Sequence, residues 1–278
     1  MARPDTASPR SGASAAPVPF DLVLLGTGLG VYTLARAFHE EYGVVATVVT
    51  KVGIEPMRRS VSCDMRELGG SASDEDLVTA LVELAEERGG ERPQLLLANA
   101  DSLIQLMSDH RERLEGHYVM PILDAETLAR LSDKAEFAQL CVEHGVATPR
   151  TEVIDLGEPR EEDWIPPTTS IPFPLVMKAA RTADMAGVRF EGKKKVWFLS
   201  TPEELSELVR TVAEAGYTGR LVIQELVPGD DTAEGSITAY ADAAGRVTLL
   251  CSARVLLGEH TPDALGRPAA MITTEFGD

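Results

Sequence analysis

The sequence predicts two folded regions, an α/β domain built on a parallel sheet and an α+β region that follows it. Three observations predict this fold class. Strand-like apolar runs alternate with helix-like segments up to about residue 124, a Pro-rich link covers residues 155–172, and antiparallel strand patterns come last. The length of 278 residues also fits about two domains, at roughly 100 to 200 residues each.

Alternating strands and helices predict the N-terminal domain, because a strand, a helix and a second strand form a right-handed parallel unit. Ser73 precedes an acidic first turn, which is typical of the residue that caps a helix start. The predicted elements are a strand at Phe20–Leu25, a helix at Val31–Tyr42, a strand at Val44–Val49, a helix at Asp74–Arg88 and a strand at Gln94–Ala98.

The second region is predicted to mix helices with antiparallel strands. Thr201 and Pro202 mark a helix start, and an Asp242-Ala-Ala-Gly turn separates two strand-like runs. The predicted helices are Ala125–Leu131, Lys134–His144 and Pro202–Ala215, and the predicted strands are Phe173–Ala179, Val196–Leu199, Arg220–Val227, Ser236–Ala241 and Arg246–Ala253.

The composition excludes several classes of protein. With 26 Lys and Arg against 44 Asp and Glu, the net charge of −18 repels polynucleotides, so we expect no nucleic-acid partner. No apolar run approaches the ~20 residues of a membrane helix, and residues 1–18 lack a signal-peptide core. We therefore expect a cytoplasmic protein with a disordered leader and no membrane partner. Three separated cysteines and five histidines without metal-binding spacing predict no disulfide framework and no zinc site.

A glycine-rich turn, Gly26-Thr-Gly28-Leu-Gly30, follows the first predicted strand. Such a turn lets phosphate approach the backbone N–H groups at a helix start, which is the basis of dinucleotide binding. The spacing does not fit, because Val31 occupies the sixth position and Thr50 and Lys51 follow the second strand where an acid is required. We therefore predict a tight turn in a Rossmann-like domain that contacts a substrate, and we disfavour an NAD(P)-dependent oxidoreductase.

A basic segment, KAARTADMAGVRFEGKKK, runs from Lys178 to Lys195 and carries six basic residues and two acids. This local excess of positive charge indicates an anionic ligand such as a triphosphate. Lys178 closes an apolar strand, where an ammonium is costly without a partner, so we favour a phosphate ligand over a surface lysine whose head reaches water. Gly187 and Gly192 would let the loop fold over phosphate, although a solvated hairpin turn is the alternative.

A strand that ends in a carboxylate, LVIQELVPG, covers residues 221–229 and precedes Asp230 and Asp231. Backbone groups at such a strand end can hydrogen-bond a purine, and a nearby acid can accept from a ribose hydroxyl. The motif is weak alone, but it follows the strand-end lysine and, earlier still, Ser132-Asp133-Lys134.

Together these motifs resemble the ATP-grasp superfamily of carboxylate–amine ligases, and most closely its D-aspartate ligase-like members. Four segments carry the resemblance in order: the first glycine turn, residues 131–151, residues 172–180 and residues 221–231. The resemblance implies a pre-ATP-grasp domain at 19–124, linker helices and the small ATP-grasp lobe at 125–227, and the start of an incomplete C-terminal lobe at 228–278.

The resemblance also implies roles for individual residues. Lys134 and Lys178 would contact the nucleotide phosphates, and the loop at about 182–194, with Gly187, would close over them as a mobile lid. Glu225, Leu226 and Val227 match the hinge that contacts adenine, and Asp231 matches the acid that binds ribose. Arg254 lies where related ligases place an arginine near the transferred phosphate or the carboxylate; a surface arginine is the alternative.

The implied reaction uses ATP to convert a carboxylate into an acyl phosphate, which an amine attacks to form an amide. The expected partners are ATP, a small carboxylate and an amine, with an amino acid or a peptidoglycan precursor as substrate and a homodimer left open. Mg²⁺ is the expected metal, with ligands beyond residue 278, because the late acidic motifs of the family are not found before Asp278. The alternative is a truncated nucleotide-binding or scaffold fragment without turnover.

Overall fold

The computed structural model describes residues 20–157, 164–261 and 265–275. The chain divides into two compact units, with the boundary between Leu128 and Ala129. Within the described residues, every helix is too short or too polar to cross a membrane.

The N-terminal unit is built on four parallel strands in the order β3-β2-β1-β4. They are β1 (Asp21–Leu25), β2 (Ala46–Thr50), β3 (Cys63–Glu67) and β4 (Gln94–Ala98). The central strands β1 and β2 are buried almost throughout, which explains their continuous apolar runs, since both faces of a parallel sheet are covered. The predicted parallel sheet is therefore confirmed, but the edge strand β3, with its polar sequence CDMRE, was missed.

Three of the described helices connect these strands: α1 (Leu29–Tyr42), α2 (Glu55–Arg58) and α3 (Asp74–Arg88). Three more follow β4: α4 (Asp101–Asp109), α5 (Arg111–Leu114) and α6 (Ala125–Ser132), which spans the boundary between the units. The predicted cap of α3 is confirmed: the Ser73 hydroxyl accepts from the backbone N–H of Asp76, whose carboxylate accepts in return from Ser73. This reciprocal pair satisfies backbone donors that the first turn leaves open.

The C-terminal unit contains an antiparallel four-stranded sheet in the order β5-β8-β6-β7. Its strands are β5 (Thr151–Asp155), β6 (Leu175–Ala179), β7 (Trp197–Leu199) and β8 (Arg220–Glu225). Two helices, α7 (Lys134–Glu143) and α8 (Pro202–Glu214), belong to the same unit. The hydrophobic core combines alternate residues of β6 with α8, and the predicted Thr201 cap of α8 is confirmed. Strand β5 was not predicted.

A second antiparallel sheet follows, in the order β11-β10-β9. It comprises β9 (Gly235–Ala241), β10 (Val247–Gly258) and β11 (Pro268–Thr274). The predicted turn between β9 and β10 is confirmed, with the Asp242 carboxylate accepting from the backbone and the side chain of Arg246. Strand β10 is longer than predicted, β11 was missed, and most side chains of this sheet are exposed.

Candidate functional site

A cavity of about 410 Å³ in the C-terminal unit collects most of the basic residues that the sequence singles out. Six cationic side chains line it, together with six neutral residues, and its lining contains no acid among the described residues. The cations are Lys134, Lys178, Lys193, Lys194, Lys195 and Arg267. In a chain of net charge −18, this concentration of positive charge makes the cavity a candidate site for an anion.

A larger cavity, of about 500 Å³, lies beside α7 and β5 in the same unit. Its two charged lining residues already have partners: Arg150 pairs with Glu225, and Glu152 accepts hydrogen bonds from Ser170. The larger cavity therefore offers an anionic ligand no cation without an ion-pair partner, and the smaller cationic cavity is the better candidate site.

Lys178 lies near the end of β6, on the side of the sheet opposite the core. Leu175 and Met177 alternate with it and are fully buried, whereas Lys178 is only partly buried. Burial, and then the charges of Lys134 and Lys195, lower the pKa of its ammonium. Among the described residues no carboxylate or hydrogen-bond acceptor pairs with Lys178 Nζ. The strand thus holds a cation in a site that an anion would stabilise.

Lys134 is brought to the same cavity by the start of α7. The Asp133 carboxylate caps this helix by accepting from two backbone N–H groups, and Arg220 binds both Asp133 and Glu136 at 2.8 and 2.9 Å. Lys134 Nζ donates to the carbonyl of Ala180 and to the hydroxyl of Thr182, both at 3.3 Å. The helix start therefore places one predicted phosphate ligand beside the end of the strand that carries the other.

The loop between β6 and β7 contains the two glycines that the sequence predicts to fold over phosphate. Gly192 has a φ of +77°, which an L-residue adopts only with strain. Gly187 does not have a positive φ, and a Cβ added there would meet open space. Gly187 is also absent from the lining of the cavity, although its neighbour Ala186 contributes to it. The backbone requirement for glycine therefore falls on Gly192.

The predicted adenine hinge lies at the end of β8. Arg150 holds Glu225 through its backbone N–H at 3.1 Å and its Nε at 3.0 Å, and Glu225 N donates back to the Arg150 carbonyl at 3.1 Å. The backbone of Arg150, followed by its side chain, lowers the pKa of the Glu225 carboxyl. Leu226 and Val227 are exposed. None of these three hinge residues lines the cationic cavity.

The register of the sheet relates the hinge to Lys178. Glu225 pairs with Leu175, and Lys178 pairs with Val222, so the two sites are three residues apart along neighbouring strands. At about 3.3 Å per residue this separation is about 10 Å. By alternation the Glu225 side chain projects to the side opposite that of Lys178, so a ligand spanning both sites would use the backbone of the hinge.

Asp231 and Arg254 lie in the part of the unit that contains the second sheet. Asp231 Oδ2 accepts from Gly258 N at 2.7 Å and from His260 Nε2 at 2.9 Å, and these bonds, in that order, lower the pKa of the carboxyl. Asp231 thus ties its turn to the end of β10, a contact that the sequence did not reveal. Arg254 is exposed on β10 opposite Gly235, and it has no ion pair among the described residues. Neither residue lines the cavity.

Arg267 lines the cavity but was not predicted. It precedes β11, and the carbonyl of the nearby Leu265 accepts from Lys195 Nζ at 3.3 Å. A single arginine in a Gly-Arg-Pro turn carries no signal of its own in the sequence. Only the packing of this turn against the lysine loop brings its guanidinium to the site.

The glycine turn of the N-terminal unit has a different geometry. Gly26 and Gly28 have φ values of +112° and +97°, and a Cβ on Gly30 would lie 1.8 Å from Asn99 Nδ2. The turn lies at the carboxyl ends of β1 and β4, where the strand order reverses and open α/β sheets bind ligands. Lys51, beyond β2, pairs with Asp74. The position expected for a ribose-binding acid is thus occupied by a cation, as the sequence indicates.

No cluster of three His, Cys, Asp or Glu side chains placed to hold a metal occurs in the described part of the chain. The cavity lining offers only cations and neutral groups. The described lining therefore supplies no carboxylate for the Mg²⁺ ion that the sequence resemblance implies.

No family model matches the chain. A D-aspartate ligase of Enterococcus faecium is 30% identical over 250 residues, which cover 88% of this chain and 58% of the relative. The chain thus spans little more than half the length of that relative.

Two solved structures share the fold. An L-amino acid ligase from Bacillus licheniformis matches with a TM-score of 0.57 and 14% identity, over 91% of this chain and 55% of that one. The ADP complex of an N5-carboxyaminoimidazole ribonucleotide synthetase matches with a TM-score of 0.56 and 14% identity, over 91% and 58%. At these identities the likeness concerns the fold alone.

Proposed function

We propose that this chain is a member of the ATP-grasp superfamily and that its cationic cavity binds the phosphates of ATP in a carboxylate–amine ligase. One observation carries the proposal: six cationic side chains and no described acid line one cavity, and Lys178 has no anionic partner there. Lys178 and Lys134 would contact the phosphates directly, because both are fixed by secondary structure.

The purine would lie at the hinge. Exposed Leu226 and Val227 follow the last paired residue of β8, so their backbone groups are open to a base, and Arg150 holds the Glu225 carboxylate aside. The separation of about 10 Å from Lys178 suits a ligand with a base at one end and phosphates at the other. Asp231 Oδ1 takes no hydrogen bond from the described residues, so it would accept from a ribose hydroxyl.

The proposed reaction has two steps. A carboxylate oxygen attacks the γ-phosphorus, the bond to ADP breaks, and an acyl phosphate forms. An amine then attacks the acyl carbon, phosphate leaves, and the nitrogen loses a proton to give an amide. The lysines would stabilise charge that develops on the transferred phosphoryl group, and Arg254 would bind that group or the carboxylate. We assign no step to a metal, because the described residues do not supply its ligands.

The substrate class follows from the relatives. One relative is named a D-aspartate ligase and a structural neighbour an L-amino acid ligase. We therefore propose an amino acid as one substrate, either free or within a peptidoglycan precursor. The net charge of −18 is unfavourable for nucleic acid, and dependence on ATP suits a cytoplasmic location.

Calorimetry with ATP, adenosine and NADH tests the binding site. We expect ATP to bind more tightly than adenosine, and NADH to bind weakly or not at all. Equal affinity for ATP and adenosine would contradict a phosphate site in the cavity. Tighter binding of NADH would favour the oxidoreductase alternative.

A second candidate is a nucleotide-binding protein without turnover, because the cationic cavity by itself accounts for the binding of an anion but not for a reaction. Release of ADP and phosphate upon addition of D- and L-amino acids, singly and in pairs that supply both a carboxylate and an amine, with and without Mg²⁺, separates the two. Amino-acid-dependent release supports the ligase, whereas ATP binding without release supports the second candidate.

A further inference from the structure

The three consecutive lysines at the end of the loop between β6 and β7 have different surroundings. Lys193 Nζ lies 2.7 Å from the carbonyl oxygen of Met185, 3.4 Å from that of Ala186 and 2.7 Å from that of Val188. A lysine ammonium has three N–H donors, so three carbonyls use its full capacity. Lys194, in contrast, is exposed and has no hydrogen-bond partner among the described residues.

The loop folds back on itself around the Lys193 ammonium. Its first part forms a single 3₁₀ turn, Ala183–Met185, and the side chain of Met185 is buried in the core. The positive φ of Gly192 reverses the chain before Lys193. The Gly192 carbonyl accepts from Trp197 Nε1 at 3.2 Å, and the Phe190 ring stacks on that indole. These contacts therefore hold both ends of the loop in place, and the Lys193 ammonium links the end of the loop to the carbonyls of residues 185–188.

The three carbonyl oxygens also bear on the electrostatics of the cavity. Met185 and Ala186 line the cavity, so without Lys193 their carbonyls would present partial negative charge to a phosphate, although that of Met185 also accepts from Val188 N at 3.2 Å. The ammonium of Lys193 covers these oxygens and adds a positive charge beside them. The hydrogen bonds of Lys193 thus fix the shape of this side of the cavity and reduce its electrostatic repulsion of a phosphate.

We propose that Lys193 is a positioning residue that preforms the loop as one wall of the cavity before any ligand binds. Lys178 and Lys194 remain available to contact phosphate, whereas Lys193 acts through the backbone of residues 185–188. A preformed loop lowers the free-energy cost of ordering these residues when a ligand binds. The preformed loop does not depend on the identity of the ligand, but its effect on affinity rests on the proposed ATP site.

The first test measures the loop without ligand. Lys193→Met and Lys194→Met each remove one charge and one trypsin site, so they form a matched pair. We expect Lys193→Met to increase deuterium uptake across residues 183–192 and to speed trypsin cleavage after Arg189 about tenfold, as expected for lost hydrogen bonds to a charged group. Lys194→Met should leave both unchanged. Wild-type exchange and cleavage in Lys193→Met would overturn the proposal, whatever the protein binds.

The second test compares the affinities of ATP and adenosine. Lys193→Met should weaken ATP binding several-fold and leave adenosine binding unchanged, because the wall faces the phosphates. Far-UV circular dichroism verifies folding, and Lys193→Gln, which keeps two N–H donors, replaces the first variant if that one does not fold. An unchanged ratio of ATP to adenosine affinity, alongside a loosened loop, would overturn the effect on binding. If wild-type protein binds no ATP, the proposed function fails while the loop result stands.

Discussion

The two loops that the sequence marks as phosphate-binding candidates are built on different principles. The turn after β1 needs glycine for its backbone: Gly26 and Gly28 have positive φ, and Gly30 closely approaches Asn99. It contains no basic side chain. The loop after β6 has only Gly192 in the positive-φ region among its described glycines, but it contributes lysines to a cationic cavity.

This difference indicates which groups of each loop would bind an anion. A glycine turn can bind phosphate through backbone N–H groups at a helix start, whereas the lysine loop and β6 provide full charges. In the N-terminal unit, the close contact of Gly30 with Asn99 gives the glycines a packing role. We therefore expect ATP affinity to depend on ammonium groups of the C-terminal unit, and the glycines to matter for stability.

The largest expected effect is the loss of ATP affinity in Lys178→Met. A hydrogen bond to a charged group contributes roughly 1.5 to 3 kcal/mol, so we expect ATP to bind about 10- to 100-fold more weakly. Calorimetry measures this change. The unfolding temperature without ligand should not fall, because methionine removes a cation that is partly buried near Lys134 and Lys195.

Lys194→Met is the matched control for this substitution. Lys194 is exposed on the loop, so its removal should weaken ATP binding much less than the removal of Lys178. Equal losses in the two variants would contradict the distinction between an anchored lysine and a loop lysine.

The second prediction concerns Gly30→Ala. The new Cβ would lie 1.8 Å from Asn99 Nδ2, so the Asn99 side chain must turn away; because both residues are exposed, we expect a loss of only about 0.5 to 1.5 kcal/mol, the cost of a side chain displaced from its preferred rotamer. ATP affinity should not change. Urea unfolding followed by circular dichroism measures the shift.

Asn99→Ala separates steric conflict from other causes. In the double variant, which combines Gly30→Ala with Asn99→Ala, the colliding amide is absent, so most of the stability lost in Gly30→Ala should return. A double variant as unstable as Gly30→Ala would show that the collision with Asn99 is not the cause.

The sequence predicted most of the fold because burial leaves local patterns. β1, β2 and β4 are apolar runs, and the caps of α3 and α8 are single residues in fixed positions. Two of the three missed strands, β3 and β5, lack such patterns. β3 is a polar edge strand, and the short strand β5 (TEVID) alternates weakly.

A site residue could be predicted from the sequence where its own type and the secondary-structure element that carries it determine its position. Lys178 at a strand end and Lys134 at a helix start both reach the cavity. The hydrogen bonds of Lys193 depend on how the loop between β6 and β7 folds back on itself. The position of Arg267 at the cavity depends on how a turn distant in sequence packs against that loop. Neither feature can be inferred from adjacent residues. Gly187 was selected for its residue type, but the positive φ occurs at Gly192.

The third prediction is that salt weakens ATP binding several-fold. Exposed lysines of the loop interact with phosphate through solvent, where the screening length is about 10 Å at 0.1 M salt. Calorimetry across a series of salt concentrations should show ATP affinity falling and adenosine affinity unchanged. An ATP affinity that does not respond to salt would indicate that the exposed lysines do not contact the ligand.

The smallest expected effect is a pH dependence of stability that arises from Lys178. Its pKa in the folded protein is lowered by burial and by the neighbouring lysines, so folding disfavours the charged form. That cost is complete below the lowered pKa and disappears as the pH rises towards the unfolded value of 10.5. Stability relative to Lys178→Met should therefore increase with pH in this range.

Urea unfolding followed by tryptophan fluorescence, at neutral pH and at about pH 10, measures the difference between wild type and Lys178→Met. Subtracting the free energy of unfolding of Lys178→Met from that of the wild type at each pH removes the contributions of all other titrating groups. With saturating ATP the trend should reverse, because a phosphate beside Lys178 favours the charged ammonium and raises its pKa. Parallel pH profiles of wild type and variant without ATP would contradict the lowered pKa, and an unreversed trend with ATP would place the phosphates elsewhere.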